Sequence, residues 1–393
     1  MAEGKGPAGR DAYARAGVDV AAGDRAVELM AAHVASTRRP EVVGGIGGFG
    51  GAVALPAGYR EPILVSSTDG VGTKTAIASG LGRYDTIGVD LVAMCSDDVV
   101  CSGARPLFFL DYVAVGRLDP AIVASIVGGV AAGCREAGCA LVGGETAEHP
   151  GLIEPPAFDL AGCCVGVVER ERLIDGSRAA EGDLVIGLAA SGLHANGYSL
   201  VRSVLAAGGS QLTLDAPYRP LLARLFEAVE PHGVDSMLAA DAALGISIAA
   251  DASLGDVLLA PTRIYTPAIV DLLDGPAGVE PHGIAHVTGG GLPGNAPRAV
   301  RADLGVRLDP ARWPIPSAIR LVGKLAGLGE AELRATFNGG LGMLVVVDRS
   351  DLSSTIASFA RSGVPASLVG EIASAARLGG VRYAEGTLEG VTG

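Results

Sequence analysis

The stretch TDGVGTKT, Thr68 to Thr75, sets a carboxylate, two glycines, a lysine and three threonines side by side. Glycines bare the backbone N–H groups and a lysine offers a compact point charge, a combination suited to phosphate. It is not a P-loop, because Thr73 separates Gly72 from Lys74, and Gly80 and Gly82 cut short a following helix. Of the 30 lysines and arginines only Lys5, Lys74 and Lys324 are lysine, which singles Lys74 out. Two readings stand: a phosphate contact, or a solvated lysine in a turn.

A second chemistry-bearing segment is YDTIGVDLVAMCSDDVVCSG, which carries Asp90, Asp97 and Asp98 with no basic residue between Arg83 and Arg105. On a helix Asp90 and Asp97 share a face, and Asp98 lies about 100° further round. Carboxylates on an apolar helix are costly to bury unless a cation neutralises them. With Asp69 and with Glu145 in GGETAEHP, they form a set of oxygen ligands suited to magnesium, which takes few carboxylates and bridges phosphates. The plainer alternative is an exposed acidic face.

His194 in SGLHANGYSL follows a strand and a glycine turn and opens a helix, so its ring and the adjacent N–H groups suit an anion. His286 precedes TGGG at another such turn, and either histidine could instead be structural. The chain has no nucleophile elbow. In GGIGGFGGAV, Gly45, Gly47 and Gly50 match G-x-G-x-x-G, but AVALPAGYREP behind them has two prolines and no helical period. A dinucleotide-binding turn needs a strand before it and a helix after it, so that reading fails and a backbone-rich flap remains.

The elements that must position these residues read as a mixed α/β chain. A helical period runs from about Val18 to Ser36 after a loose arm. Strands are expected at Ile63–Ser67, PLFFLDYVAVGRL, CALVGG, DLAGCCVGVVER, LVIGLAAS, GIAHVTGGG and LGMLVVVD. Helical spacing covers Tyr84 to Gly103, and Asp119 followed by Pro120 starts a helix that Gly138 ends. The polar run ERERLIDGSRAAEGD suggests a boundary near Arg172, giving domains 1–172 and 173–393. Residues 205–258, rich in Ala and Leu, are expected to be helical or an insertion.

At 393 residues the chain exceeds one ordinary core. A formal charge of −13 argues against nucleic acid or anionic lipid as partner, and no apolar run approaches a membrane span. With no signal-peptide core the expected location is the cytoplasm. Six cysteines without a C-x-x-C pair are expected to be buried apolar thiols.

Taken in order, YARAGVD, TRRPEVVGGIGGFGG, STDGVGTK, DTIGVDLVAMC, PLFFLDY, LVGGETAEHPG, SGLHANGYSLVR, APTRIY, AHVTGGG and TFNGGLGM resemble the AIR synthetase family, the phosphoribosylformylglycinamidine cyclo-ligases. The resemblance implies a two-domain α/β (α+β) fold. The N-terminal domain lends strands to a dimeric β-barrel, and a C-terminal α/β domain packs beside it. It implies ATP and Mg²⁺ as cofactors, a homodimer, and closure of formylglycinamidine ribonucleotide to aminoimidazole ribonucleotide with release of ADP and phosphate.

By position it implies that Gly47, Gly48, Gly50, Thr68, Gly70, Gly72, Thr73 and Lys74 hold ATP, and that Asp69, Asp97, Asp98 and Glu145 bind magnesium. Lys74, His194 and Asp98 would be catalytic, and Thr288, Gly289, Gly290 and Asn295 would line the substrate. The chain departs from the family where Asp97 replaces an asparagine, where Leu292 and Gly294 follow TGGG, and where Ala335 replaces an arginine.

Overall fold

A computed structural model describes residues 16–45, 48–209, 212–226, 233–276 and 278–388. Most of the N-terminal arm, and Gly47 of the flap, lie outside the described residues. The flap belongs to a hairpin of β1 (Val42–Val43) and β2 (Ala52–Val53), so its glycines bridge two strands rather than a strand and a helix. The dinucleotide reading is excluded on geometry as well as on context.

Four strands, β3 (Pro62–Gly70), β4 (Arg105–Val115), β5 (Ala140–Glu148) and β6 (Phe158–Glu169), form a sheet in the order β3-β6-β4-β5. Only β4 and β5 run parallel. Helices α1 (Val20–Ala35), α2 (Thr75–Leu81), α3 (Ile87–Val100) and α4 (Pro120–Ala137) complete this half. Asp119 accepts from the N–H groups of Ala121 and Ile122, and Gly138 closes α4 with a left-handed φ of 74°, the start and stop that the sequence indicates. Helices α3 and α4 meet backbone to backbone: a Cβ on Gly88 would lie 2.1 Å from the Val130 nitrogen.

The period of two along each strand sorts the sheet into faces. Phe109, Val113, Leu160 and Cys164 turn inward to the core that holds Leu91 and Cys95 of α3. On the outer face Thr68, Cys163 and Leu110 form one row, and Ala161, Tyr112 and Glu145 the next. That face leaves Leu64 and Tyr112 exposed, at 59% and 40%.

The C-terminal sheet comprises β7 (Leu184–Ala189), β8 (Gly283–His286), β9 (Leu304–Leu308), β10 (Leu341–Val347), β11 (Ala366–Ser374) and β12 (Tyr383–Glu385), in the order β12-β9-β11-β7-β10-β8. Every residue of β7 and β10 is buried, as their unbroken apolar runs require. Around them lie α5 (Tyr198–Gly208), α6 (Tyr218–Phe226), α7 (Gly233–Ala243), α8 (Leu254–Leu259), α9 (Thr266–Asp274), α10 (Gly291–Asn295), α11 (Ser317–Ala326), α12 (Glu330–Thr336) and α13 (Leu352–Arg361). The described part of 205–258 is mostly helical, with non-helical connections at 212–217 and 244–253 that a single bridge between Pro217 and Ser253 ties together. Its Tyr218, Leu222 and Leu258 join Ile319 and the α3–α4 residues in one continuous core.

Among the described residues no helix is long and apolar enough to cross a membrane. All six cysteines are free; Cys95, Cys134, Cys139 and Cys164 are buried as expected, whereas Cys101 and Cys163 are only half-buried.

Candidate active site

Helix α3 is the axis of the site, and its acidic residues divide into two kinds. Asp90 and Asp97 are fully buried. Asp90 Oδ1 accepts from Lys74 Nζ at 2.8 Å and from the Thr262 N–H and hydroxyl at 2.8 and 2.5 Å. Lys74 Nζ also donates to the Ala260 carbonyl at 2.6 Å and stands 5.5 Å over the Tyr198 ring. Burial pushes the lysine down and the carboxyl up, and their mutual attraction opposes both shifts. The expectation of a phosphate-binding Lys74 is therefore corrected: its ammonium is committed to a buried ion pair and to a carbonyl.

Asp97 is corrected in the same way. Its carboxylate accepts from the Tyr265 N–H at 3.0 Å, from the Thr266 N–H at 2.8 Å and from the Thr266 hydroxyl at 2.9 Å, tying α3 to the first turn of α9. Burial raises it to about 6 against these hydrogen bonds. Asp97 is thus spent on the start of α9 and does not line the cavity that its neighbour Asp98 faces.

Asp98 does turn away, toward a cavity of about 430 Å³ between the two sheets, where it meets Ser66, Ser67, His286 and Arg298. Its oxygens accept from His286 Nδ1 at 2.9 Å and from Ser67 Oγ at 3.2 Å. Burial works against its charge, but these hydrogen bonds hold it below the usual carboxylate range. Asp69 lies on the inner face of β3 near Asp98; burial, and then the charge of Asp98, raises it. Among the described residues no three His, Cys, Asp or Glu side chains converge into a ready metal cluster. Glu145 and Thr68 sit on the outer face of the sheet, one residue out of phase with Asp69, so the expected four-carboxylate set does not assemble.

Three glycine-rich turns of the C-terminal half converge beside α3. In the first, His194 adopts φ +62° and is 2% exposed. Its Nε2 accepts from the Ser191 N–H at 3.1 Å, which places the proton on Nδ1, and Nδ1 is buried with no partner. Burial first, and then its neighbours His286, Arg263 and Lys74, push this imidazole well below its ordinary value, so the ring is neutral. A neutral ring with a bare Nδ1–H is a hydrogen-bond donor for an anionic oxygen.

The second turn is Thr288–Asn295. Gly289 and Gly290 are exposed, whereas Asn295 is 2% exposed and its amide donates to the carbonyls of Thr288, Gly289 and Gly291. The expected substrate contact at Asn295 is corrected: it holds the loop in shape. The third turn carries Asn338, which donates to the Gly192 carbonyl at 2.8 Å and so joins the turns. From the N-terminal half, Thr73 Oγ1 reaches Ser199 Oγ at 3.4 Å, bringing the TDGVGTKT segment, with Gly70 and Gly72, to the start of α5. Gly48 and Gly50 lie exposed in the hairpin loop.

Thr262, Tyr265 and Asn338 have structural duties that their motifs, APTRIY and TFNGG, do not announce. Asp111 was also missed, although the parity Phe109–Asp111–Val113 turns it inward. A Cβ on Gly144 would lie 1.8 Å from Asp111 Oδ1, Oδ2 is buried without a partner, and burial raises the carboxyl to about 7. A folded value above the unfolded one, ~3.9, contributes stability below about pH 4 that is lost as pH rises through 7. We expect Asp111→Asn to gain stability over the native protein between pH 5.5 and pH 8.5, by several degrees in Tm at the upper end. A pH-independent difference in thermal melts would contradict this.

Two family models match the chain: AIR synthase related protein, N-terminal domain, over residues 53–168, and AIR synthase related protein, C-terminal domain, over residues 180–382. The chain belongs to the AIR synthase related family. Phosphoribosylformylglycinamidine cyclo-ligase of Gloeobacter violaceus is 46% identical over 95% of this chain and 99% of its own. The enzyme of the same name from Geobacillus kaustophilus is 45% identical over 95% and 98%.

Among solved structures, thiamine-monophosphate kinase from Stenotrophomonas maltophilia shares this AIR synthase-like fold at TM-score 0.61 and 18% identity, covering 92% of this chain and 95% of its own. Hydrogenase maturation protein HypE, solved in complex with ATP, gives TM-score 0.56 and 17% identity over 92% and 90%. Of the three departures from the family pattern, Asp97 faces α9 rather than a ligand, while Gly294 and Ala335 lie exposed.

Proposed function

We propose that this chain closes formylglycinamidine ribonucleotide to aminoimidazole ribonucleotide at the expense of ATP. The observation that carries the reading is identity near 45% to cyclo-ligases over almost the full length of both partners. The site supports it, because a donor-rich set of turns with a neutral His194 suits phosphoryl transfer, which depends on positioning and charge neutralisation more than on a covalent nucleophile.

An amide oxygen leaves poorly. The formyl oxygen therefore attacks the γ-phosphorus of ATP, forming an O–P bond as the bond to ADP breaks. The amidine nitrogen then attacks the activated carbon; a C–N bond forms, the C–O bond breaks, and phosphate departs with the former formyl oxygen. His194 Nδ1–H donates to an oxygen of the transferred group, and the N–H groups of Gly72, Gly289 and Gly290 face its charge.

Asp69 and Asp98 are the carboxylates that would hold magnesium. A pair rather than a cage fits an ion whose other ligands are phosphate oxygens and water, and the raised Asp69 beside Asp98 is relieved by a cation. Bound there, magnesium would neutralise charge on the phosphates. The exposed outer face of the first sheet, with Leu64 and Tyr112, supports a homodimer in which two such sheets close on each other.

Purified protein supplied with formylglycinamidine ribonucleotide, ATP and Mg²⁺ should yield aminoimidazole ribonucleotide and one ADP per turnover. ATP binding without that product would overturn the reading.

A further inference from the structure

Two chains of hydrogen bonds leave α3; one ends on the His194 ring and the other on the Ala189 carbonyl, beside a tyrosine ring that flanks that histidine. In the first, Asp90 holds the Thr262 N–H and hydroxyl, and its partner Lys74 holds the Ala260 carbonyl. Pro261, between them, takes the Ser191 hydroxyl at 2.8 Å, and the Ser191 N–H fixes His194 Nε2 at 3.1 Å. In the second, Asp97 holds the N–H groups of Tyr265 and Thr266. The Tyr265 hydroxyl donates to the Ala189 carbonyl at 2.8 Å, where β7 ends, and its ring lies 6.1 Å from the His194 ring. Arg263, between the two arms, donates to the same carbonyl at 2.7 Å. The segment Ala260–Thr266 is thus gripped at both ends by the N-terminal half and itself holds Ala189 and Ser191, the entry to the turn that carries His194.

We propose that Asp90 and Asp97 are positioning residues for His194. They carry the geometry of α3, on which Asp98 is the next residue, across to an imidazole on the other half of the molecule. They touch no reacting atom, and they fix the side of the ring that is not offered to the ligand. The inference rests on the reading that His194 donates to the transferred phosphoryl group. It explains why two carboxylates are kept in the core of an otherwise apolar helix, where an isolated charge is costly unless it is paired or hydrogen-bonded.

The test compares Asp97→Asn, which keeps an acceptor oxygen for the α9 N–H groups, with Asp97→Ala, which has none, and with Tyr265→Phe, which removes only the hydroxyl that holds Ala189. In the ligand-free native protein, ¹⁵N NMR of the His194 ring should report one neutral tautomer with the proton on Nδ1. Asp97→Asn should retain that signature and stay within about threefold of native kcat. Asp97→Ala should lose the single tautomer and fall in kcat by about 30-fold, with KM for ATP within about twofold, the size expected for one lost orienting hydrogen-bond set. Tyr265→Phe should shift the same resonance and lower kcat in the same direction, and it decides the matter if Asp97→Ala does not fold. Native His194 signals and native kcat in Asp97→Ala, or in Tyr265→Phe, would overturn the proposal. The ring signature needs no turnover, so it reads the positioning role even if the native protein makes no aminoimidazole product, a result that would count against the proposed reaction instead.

Discussion

A Lys74→Met variant should lose about 3–5 kcal/mol of stability, with a large fall in soluble yield, whatever it does to activity. Lys74 and Asp90 are both fully buried and 2.8 Å apart. Removing one member of a buried pair strands the charge of the other, and that loss is the source of the magnitude. Asp90 Oδ2 already lacks a partner, so the helix has no spare donor to take over from the ammonium. The double variant Lys74→Met, Asp90→Asn should recover much of the loss, because asparagine keeps an acceptor for Thr262 without a charge. Urea denaturation of the native, single and double variants checks this. A Lys74→Met protein as stable as the native one, but inactive, would return Lys74 to the phosphate site.

The second large effect is expected at Gly342. A Cβ there would lie 2.0 Å from the Tyr265 hydroxyl and 2.5 Å from His194 Cε1, so alanine cannot be added without moving one or both rings. Tyr265 is held by its hydroxyl and by Asp97, which leaves His194, already at φ +62°, as the group that shifts. Displacing a group that must donate at the transition state should cost about 100-fold in kcat, within the usual range for such groups. The protein should still fold, since β10 keeps its pairing with β7 and β8. Steady-state kinetics beside a thermal melt separates the two effects; native kcat in Gly342→Ala would remove His194 from the reaction.

Much of the architecture was legible because local physics dictates it. Asp119, Pro120 and Gly138 bound α4, and the helical period of α3 correctly sets Asp98 apart from Asp90 and Asp97. The partners of those two aspartates were not legible, because Thr262 and Tyr265 lie 172 and 168 positions away. No spacing rule along the helix points to them. The scarcity of lysine marked Lys74 as special, but special in the sense of buried, where a long flexible stem lets an ammonium reach a carboxylate and a carbonyl together.

Thr68 and Glu145 part from Asp69 for a different reason. The strand does not stop at Ser67 but runs on to Gly70, so Thr68 and Asp69 alternate across the sheet instead of sharing a turn. Asn295 could have been suspected, since an asparagine just after the tight turn 288–291 is well placed to satisfy its carbonyls.

The reaction itself is tested most directly by following one oxygen atom. Formylglycinamidine ribonucleotide labelled with ¹⁸O in the formyl group should, on turnover with unlabelled ATP, release inorganic phosphate carrying one ¹⁸O, because the formyl oxygen is phosphorylated before the ring closes. Label appearing in water rather than phosphate, with aminoimidazole ribonucleotide still formed, would contradict activation by phosphoryl transfer and the role assigned to His194.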